Sequence, residues 1–510
     1  MSEATMDADL IFAQIGGCGR QQRKYCACVL FGQMMAACQL VIMVFVGHIP
    51  EFVCLSDEEV KQGSMGNSSS ACLDFKKEKC QSFVFRSFWK SMPQEWNLVC
   101  DQEYRVSLVQ SALMAGFLVG SFVWGLVSDA IGRRKTTFIV VCLIFAASFM
   151  SAYSHLYEQF LFMRFLVGFG IAGHAISTFV LANECLGSEY RAKFSVMISV
   201  FFAMGIASLS FFAYYSTDWR NLVQMISVLT LLCLLVYLKL PESPRWLLSQ
   251  GRVVEAKAIF EQIARGNGVK SEILQNWDNE MMEHSKLIAK KSPSRSEDVG
   301  GSLSDFLKHC SLLKLLLIQI YSWFANSLVY YGLTLASGSL SSNLHLSLIL
   351  SGLAEWPAYL LVYIAQNSTG RRTIICANMV AGSAACLAIF LSVSPGMTTA
   401  LALLGKMGIS ASFAVIWLHS AELFPTSIRN AGLGICNMAA RLGGVVAPFV
   451  TLMTSGSASG QFVIFGLAGL SAGILNLNLP ETKDKALPES TEDLLEMCAQ
   501  KRNKYKINGL

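Results

Sequence analysis

Two charged residues lie near the middle of long apolar segments of this 510-residue chain. Arg441 interrupts GICNMAARLGGVVAPFVTL (Gly434 to Leu452), and Glu355 interrupts SGLAEWPAY (Ser351 to Tyr359). An arginine at the centre of a membrane helix costs about 2.5–3.5 kcal/mol on insertion scales, so an ionisable residue there is a functional hypothesis by default. Either the two charges pair, which relieves their desolvation, or they face a wet cavity and bind the charges of a solute.

An arginine and a glutamate in one cavity would suit a molecule that carries both charges. The planar guanidinium of Arg441 offers a bidentate fork that matches a carboxylate. The carboxylate of Glu355 can meet an ammonium or trimethylammonium group. Together the two residues indicate a zwitterionic ligand.

Three further ionisable residues lie inside apolar segments. Lys406, in LLGKMGIS, suits a cavity-lining role and a structural role equally. Arg164 lies close to one end of its segment, where it can snorkel or bond backbone carbonyls, so we expect a structural or gating role. His174 could relay protons, but a packed histidine with satisfied hydrogen bonds is the better interpretation.

The composition places these residues in a membrane. Apolar residues make up 53% of the chain and charged residues 15%, and the mean hydropathy is +0.46. The apolar residues fall into blocks of about twenty, the length that a helix needs to cross a bilayer. The twelve predicted spans lie near 25–47, 105–127, 136–153, 159–183, 194–214, 221–240, 312–335, 345–365, 373–393, 398–420, 431–453 and 460–480.

Basic residues in the short connections predict the orientation of the spans. GRRKT (Gly132 to Thr136), Arg191, GRRT (Gly370 to Thr373) and Arg429 all fall on one side, which is therefore cytoplasmic. The formal net charge of +5 then reflects topology rather than binding to nucleic acid. The same side receives the N-terminus 1–24, the insert 241–311 and the tail 481–510, while the loop 48–104 is extracellular.

The extracellular loop carries two marks of an oxidising compartment. Its four cysteines, Cys54, Cys72, Cys80 and Cys100, form an even set with three possible pairings. Asn67-Ser68-Ser69 is an N-glycosylation sequon. The sequon at Asn367 falls on the cytoplasmic side and should stay unused.

The cytoplasmic insert is predicted to hold an amphipathic helix that caps the bundle. Val253, Ala256, Phe260 and Ile263 recur at helical spacing. The segment KKSPSRSEDVGGS, from Lys290 to Ser302, has the composition of a flexible linker.

Three motifs occur twice at nearly one offset. SDAIGRRK and QNSTGRRT align Asp129 with Asn367, an offset of 238 (367 minus 129). ECLGSEYR and ELFPTSIR, which begin at Glu184 and Glu422, give 238 again (422 minus 184). The chain is therefore predicted to consist of two similar six-span halves, 25–240 and 312–480. Repeated bundles with a binding site at their interface are the architecture of secondary transporters.

A third pair of motifs, PES at Pro241 and PET at Pro480, differs by 239 (480 minus 241). Together with GRRK, PESPRWLLSQGR, AELFPTSIRNAGLG and EWNLVC, these motifs resemble the major facilitator superfamily, and within it solute carrier family 22. ANECLG, LVYYGLTL and SGLAEWPAY look closest to its member 15 branch, which is similar to carnitine and ergothioneine transporters. The resemblance implies an all-α membrane fold, a twelve-span bundle of two six-span halves with a large extracellular loop.

The resemblance also implies a cytoplasmic gate. Asp129 would lock it by facing the helix that starts near Asn430, where the helix dipole favours an anion. In the second copy Asn367 replaces the acid and supplies no charge. The alternative interpretation is that these residues act only as positive-inside anchors and have no role in gating. The predicted gating residues are Asp129, Gly132, Arg133, Arg134, Glu184, Arg191, Gly370, Arg371, Arg372, Glu422 and Arg429.

The substrate cavity is predicted from the same resemblance. The position matching Arg441 is an aspartate in cation carriers of the family and an arginine in anion and zwitterion carriers. Aromatic faces attract quaternary ammonium groups, by up to about 2 kcal/mol when desolvated, and Trp323 and Tyr330 are seven residues apart on one helical face. The predicted substrate-binding residues are Arg441, Glu355, Trp323, Tyr330, Tyr331, Phe202 and Lys406.

The leading functional hypothesis is an alternating-access carrier of zwitterions, with a cation or anion carrier of the same family as the alternative. Its partners would be a small organic ion, the bilayer and a coupling ion, Na⁺ or H⁺. A channel or a receptor that moves no solute is the alternative from another class. An enzyme is not expected, since no nucleophile–base set, metal cluster, cofactor motif or GxxxxGK[ST] stands out. The glycosylated loop favours the plasma membrane, although an internal membrane fits the same features.

Overall fold

The computed structural model describes residues 8–55, 72, 82–87, 89–269, 309–336, 343–392, 394–425, 428–454, 459–483, 485, 488 and 492–497. Eleven of its helices are long and apolar enough to cross a membrane, and the shorter apolar helix Gly460–Asn476 makes the twelfth. The all-α, twelve-span prediction is therefore confirmed.

The first six spans form one bundle. Span one is Arg20–Val41, continued by Met43–Val46, and spans two to six are Tyr104–Ile131, Arg133–Ser151, Tyr157–Glu184, Ser188–Tyr215 and Trp219–Tyr237.

The second six spans form another bundle. Span seven is Cys310–Ala336, span eight consists of Leu344–Leu353 and Glu355–Ser368, and spans nine to twelve are Arg371–Ala388, Pro395–Leu423, Arg429–Met453 and Gly460–Asn476.

The two ends of the bundle carry different connections. We call the end that carries residues 48–104 the loop end, and the end that carries both Gly-Arg-Arg turns the turn end. At the loop end, β1 (Phe52–Leu55) pairs antiparallel with β2 (Ser82–Phe85), followed by the helices Met92–Glu95 and Cys100–Gln102. At the turn end lie the helices Ala8–Ile15, Pro244–Ser249 and Val253–Asn267.

A disulfide joins Cys72 to Cys100, which selects one of the three possible pairings. The side chains of Cys54 and Cys80, and the sequon residue Asn67, lie outside the described residues.

The loop is held to the first half through Glu95. Its carboxylate accepts hydrogen bonds from Trp219 Nε1 at 2.9 Å and from Arg220 Nε at 3.1 Å. Partial burial raises the pKa of Glu95, but the hydrogen bonds and the charge of Arg220 outweigh it and leave the pKa below its ordinary value. The acid therefore stays ionised and anchors the loop to the start of span six.

The predicted amphipathic helix in the insert is confirmed as Val253–Asn267. Its apolar stripe, including Ala256, Phe260 and Ile263, is fully buried. Phe260 packs edge-on against Phe12 of the N-terminal helix at 5.3 Å between ring centroids. The insert thus covers the turn end of the first half.

Glycines allow spans two and four to pack at backbone distance. A Cβ added at Gly116 would lie 2.0 Å from the carbonyl oxygen of Phe165, and one at Gly168 would lie 1.9 Å from that of Leu113. Small residues at helix contacts are the usual way in which membrane helices approach closely. This contact holds the first half together as one body.

Among the described residues, the two halves share a hydrophobic core toward the loop end. One buried cluster combines Val109 and Ile206 of the first half with Leu328, Leu348 and Val450 of the second. A separate cluster nearer the turn end holds Leu312, Ile375 and Ile416 of the second half together with Leu494 of the tail. The halves are therefore joined at the loop end.

We predict that Gly116→Ala destabilises the protein by about 1–3 kcal/mol, because the added methyl group overpacks the contact between spans two and four. Heating the detergent-solubilised protein and measuring the monodisperse fraction would show a melting temperature several degrees lower. Gly125→Ala is the matched control on the same helix, since a Cβ there meets no atom within 4 Å. Equal melting temperatures for the two variants would contradict the packing described above.

Candidate functional site

Span eight is kinked at the position of Glu355. The helices Leu344–Leu353 and Glu355–Ser368 meet at Ala354, whose backbone is helical and whose N–H donates to the carbonyl oxygen of Leu350 at 2.9 Å. Pro357, two residues after Glu355, lacks a backbone N–H and its ring clashes with the carbonyl four residues earlier, so the helix bends here. Glu355 therefore lies at a proline kink in the middle of the span.

The carboxylate of Glu355 is buried and fully occupied by partners. Tyr330 donates its hydroxyl to Oε1 at 2.9 Å, and Tyr359 donates to Oε2 at 2.7 Å. Lys406 Nζ lies 3.2 Å from Oε1, and the side chains of Lys406 and Glu355 are 2% and 0% exposed. We call Glu355, Lys406, Tyr330 and Tyr359 the Glu355 cluster. Its formal charges cancel.

Lys406 has two further partners. Its Nζ donates to Ser351 Oγ at 2.6 Å and to Thr334 Oγ1 at 3.1 Å. An ammonium group has three donors, and here each one has an acceptor. The alternative in which Glu355 pairs with Arg441 is therefore not what the structure shows, because span ten brings a nearer cation to the carboxylate.

Arg441 lies between the two halves. Its guanidinium carbon is 3.7 Å from the ring centroid of Phe117 on span two, and it interacts with the side chain of Tyr331 on span seven. The side chain is half-buried, and its Nε is buried without a hydrogen-bond partner. Among the described residues no carboxylate forms an ion pair with Arg441, so its charge is balanced by none of them.

The aromatic residues of span seven occupy two environments. Trp323 and Tyr330 both contact Phe413 of span ten, with centroids 6.3 and 5.9 Å away, so they do share one helical face. Trp323 was expected at the cavity, but it is fully buried inside the second half. Its indole N–H donates a hydrogen bond there to Ser420 Oγ at 2.9 Å. Tyr331 lies nearer the other half, beside Arg441.

Phe202 is partly exposed on span five and packs against the large core cluster. Arg164 and His174 are packed inside the first half in this conformation. Arg164 is fully buried and donates from Nη2 to the carbonyl oxygen of Gln39 at 2.8 Å. His174 Nε2 lies 2.8 Å from the hydroxyl of Tyr237. Both arrangements support the packed interpretations.

The first Gly-Arg-Arg turn is held by charges within the first half. Arg133 pairs with Asp129 at 2.9 Å and with Glu184 at 3.1 Å. The carboxylate of Glu242 accepts the backbone N–H groups of Arg133 and Arg134 at 2.9 and 3.0 Å, and so caps the N-terminus of span three.

Gly132 is required at the first turn by its backbone and by its surroundings. Its φ is +104°, and an added Cβ would lie 2.5 Å from Glu242 Oε2. In the second copy a Cβ at Gly370 would lie 2.2 Å from Glu481 Oε2. Sequence reasoning did not select Glu242 and Glu481 as functional residues, although the PES and PET pair was the signal for both.

The second turn repeats the first with weaker ion pairing. Glu481 Oε1 accepts the backbone N–H of Arg372 at 3.3 Å. Arg371 Nε lies 3.5 Å from Glu422 Oε2. The two halves therefore use the same capping device at equivalent positions.

Two arginines of the predicted gate have partners outside the set of predicted gating residues. Arg191 pairs with Asp9 of the N-terminal helix, at 2.6 Å. Arg429 donates from Nε to the carbonyl oxygen of Phe424 at 3.2 Å.

The side chain of Asp129 is 74% exposed, and its ion pair is with Arg133 of its own half. The expected lock against the helix that begins near Asn430 is not formed in this conformation. The reason is that the halves meet at the opposite end.

Among the residues that the structure describes, four hydrogen bonds join the halves at the loop end. Ser107 and Ser111 of span two donate to the carbonyl oxygens of Pro448 and Val445 of span eleven, at 3.2 and 2.7 Å.

The other two hydrogen bonds link span five to span eight. Ser210 Oγ donates to the carbonyl oxygen of His345 at 3.0 Å, and His345 Nδ1 lies 3.2 Å from the carbonyl oxygen of Ser210. The rings of Phe45 and Tyr214 flank His345 at 5.0 and 6.1 Å. The bundle is thus closed at the loop end, whereas the ion pairs of the two Gly-Arg-Arg turns each lie within one half.

Comparisons with known proteins agree with this architecture. Residues 65–494 match the family model described as Sugar (and other) transporter. The chain is similar to the inward open conformation of the xylose transporter XylE from E. coli, with a TM-score of 0.65, 17% identity, and coverage of 93% of this chain and 99% of that one. This likeness shows the major facilitator fold.

The chain is more similar in sequence to several curated transporters than to the solved structure of XylE. The chain is 36% identical over 495 residues to "Solute carrier family 22 member 15-like" of Xenopus tropicalis, covering 96% of both chains. It is 31% identical to the human "Organic cation/carnitine transporter 2", covering 80% of this chain and 72% of that protein. Together with the split bundle and its paired turns, these matches show that the chain belongs to solute carrier family 22 and is a membrane transporter, not an enzyme.

Proposed function

We propose that this transporter carries small zwitterions of the carnitine or ergothioneine type across the plasma membrane by alternating access. The observation that carries the proposal is the position of Arg441. Its guanidinium lies between the halves, half-buried, with one N–H unpartnered and none of the described carboxylates paired to it. A buried cation of this kind is stabilised when an anion reaches it.

A carboxylate is the anion that suits Arg441. The guanidinium can donate two parallel hydrogen bonds to it. The ring of Phe117 covers one face of the guanidinium at 3.7 Å, which leaves the donors in the plane of the group available.

The cationic end of the substrate has a second region to bind. Tyr331 interacts electrostatically with both Arg441 and Glu355, so its side chain lies near both the arginine and the Glu355 cluster. Tyrosine faces attract quaternary ammonium groups. The name of the human relative, an organic cation/carnitine transporter, supports a substrate with this pair of charges.

A carboxylate anion without a cationic group is the second candidate. Lys406 neutralises Glu355 at 3.2 Å, which leaves Arg441 as the charge to be matched. Uptake of matched zwitterion, cation and anion probes distinguishes the two candidates.

The alternating-access part of the proposal uses the closed loop end. With the loop end outside the cell, as the basic turns favour, the described conformation is closed to the outside. Transport then requires the contacts of span two with eleven and of span five with eight to separate, while the capped turns keep each half rigid. Asp129 becomes available to the N-terminus of span eleven when the turn end closes.

We predict that Arg441→Gln lowers uptake of labelled carnitine or ergothioneine at least about tenfold, equivalent to about 1.4 kcal/mol, because the carboxylate loses its charged partner. Arg441→Lys should retain part of the uptake, since it keeps the charge without the fork. Uptake is measured per molecule at the cell surface. Arg265→Gln, an exposed arginine of the insert helix, is the control. Wild-type carnitine and ergothioneine uptake by Arg441→Gln would contradict the proposed site.

We also predict that linking the halves at the loop end stops transport. In Ser210→Cys/His345→Cys, a short bis-methanethiosulfonate reagent forms a disulfide with each thiol and releases methanesulfinate, so it should join spans five and eight and abolish uptake until a reductant cleaves the disulfides. Cleavage at a protease site inserted within 290–302 separates the two halves, so crosslinked protein would still migrate on a gel at the mass of the whole chain and protein without the crosslink would not. Each single variant is the control for the native cysteines. Undiminished uptake by crosslinked protein would refute a closed state that must open there.

The proposed orientation predicts that the sequon at Asn67 is glycosylated and that the sequon at Asn367 is not. A glycosidase should then shift the mobility of the wild type and of Asn367→Gln, but not that of Asn67→Gln. A shift that depends on Asn367 would place the turn end outside and invert the topology.

A further inference from the structure

We propose that Lys406 determines which substrate charge the transporter accepts, by neutralising Glu355 rather than by touching the substrate. This inference rests on the proposed substrate site between the halves. It assigns Lys406 as a specificity-determining, positioning residue: its charge sets the net charge of the Glu355 cluster, and that net charge decides between zwitterions and pure cations.

The first step is that Lys406 has no free donor for a ligand. Its three hydrogen-bond partners are Glu355 Oε1 at 3.2 Å, Ser351 Oγ at 2.6 Å and Thr334 Oγ1 at 3.1 Å. The side chain is 2% exposed. A direct contact with substrate would break a contact that compensates the cost of burying the ammonium.

The second step is that Glu355 depends on Lys406 for its charge balance. The two tyrosine hydroxyls, at 2.9 and 2.7 Å, donate hydrogen bonds but carry no charge. An ionised carboxylate without a counter-ion is strongly disfavoured in a buried site. Without Lys406 the carboxylate would require another cation, and a substrate that carries an ammonium group can supply one.

The third step connects the cluster to the substrate site. Tyr330 of the cluster packs against Tyr331 with ring centroids 5.3 Å apart, and Tyr331 interacts with Arg441. Charges act over such distances when the space between them is protein rather than water. With the cluster neutral, Arg441 dominates and a carboxylate is required; with the cluster negative, the site becomes matched to a cation.

Four proteins with three charge states of the Glu355 cluster test the inference. The wild type and Glu355→Gln/Lys406→Met have a neutral cluster, Lys406→Met has a net negative cluster, and Glu355→Gln has a net positive one. Each is expressed in cells, quantified at the surface, and given labelled carnitine, choline and 3-hydroxybutyrate. The last two probes retain the cationic and the carboxylate part of carnitine respectively.

We expect the ratio of choline to carnitine uptake to rise at least about tenfold in Lys406→Met and to fall in Glu355→Gln. The double variant should return to the ratio of the wild type, because its cluster is neutral again.

A structural role for Lys406 would lower the uptake of all probes together and leave the ratio unchanged, which would overturn the inference. If Lys406→Met does not reach the surface, the opposite shift in Glu355→Gln and the return in the double variant decide the question. Failure of the proposed function is distinguishable: a wild type that prefers 3-hydroxybutyrate to carnitine would refute the zwitterion proposal. The choline to 3-hydroxybutyrate ratio across the variants would still test the role of Lys406.

Discussion

The energy of a charge in a low-dielectric bundle governs this structure. Glu355 and Lys406 are buried together, and each has a full set of partners, so their charges are compensated inside the second half. Arg441 is half-buried between the halves and has no such compensation among the described residues. The charges of Glu355 and Lys406 thus compensate each other, whereas the charge of Arg441 has no partner among the described residues, which favours the binding of an anion there.

The same constraint organises the turn end. Glu242 and Glu481 each lie against a glycine and accept backbone N–H groups at the start of spans three and nine respectively. Arg133, beside the first cap, is paired within its own half, and Arg191 is paired with the N-terminal helix. The two halves can therefore move relative to each other without breaking these ion pairs. The contacts that must separate during transport lie at the loop end. They include hydroxyl-to-carbonyl hydrogen bonds, such as that of Ser111 with Val445, whose separation costs little free energy when water replaces the partner.

The sequence predicted what depends on local pattern. Apolar blocks of span length gave the twelve helices, and the doubled motifs gave the two halves. The ion partner of Glu355 could not be predicted, because it depends on how span ten is rotated against span eight. Trp323 shares its helical face with Tyr330, yet only tertiary packing shows that the face is turned into the second half. Asp129 was expected in a closed gate, and its exposure reflects which conformation the halves adopt. Pro357 was the residue in the sequence that predicts the kink in span eight.

Binding of a matched pair of ligands to the purified wild-type transporter tests the central claim most directly, that Arg441 requires a substrate carboxylate. Carnitine and its methyl ester share the trimethylammonium group and differ in the charge of the carboxyl group. Displacement of a labelled substrate from protein in lipid nanodiscs gives both affinities. The account predicts that the ester binds at least about tenfold more weakly, or about 1.4 kcal/mol. An ester that binds as tightly as carnitine, or more tightly, would contradict it.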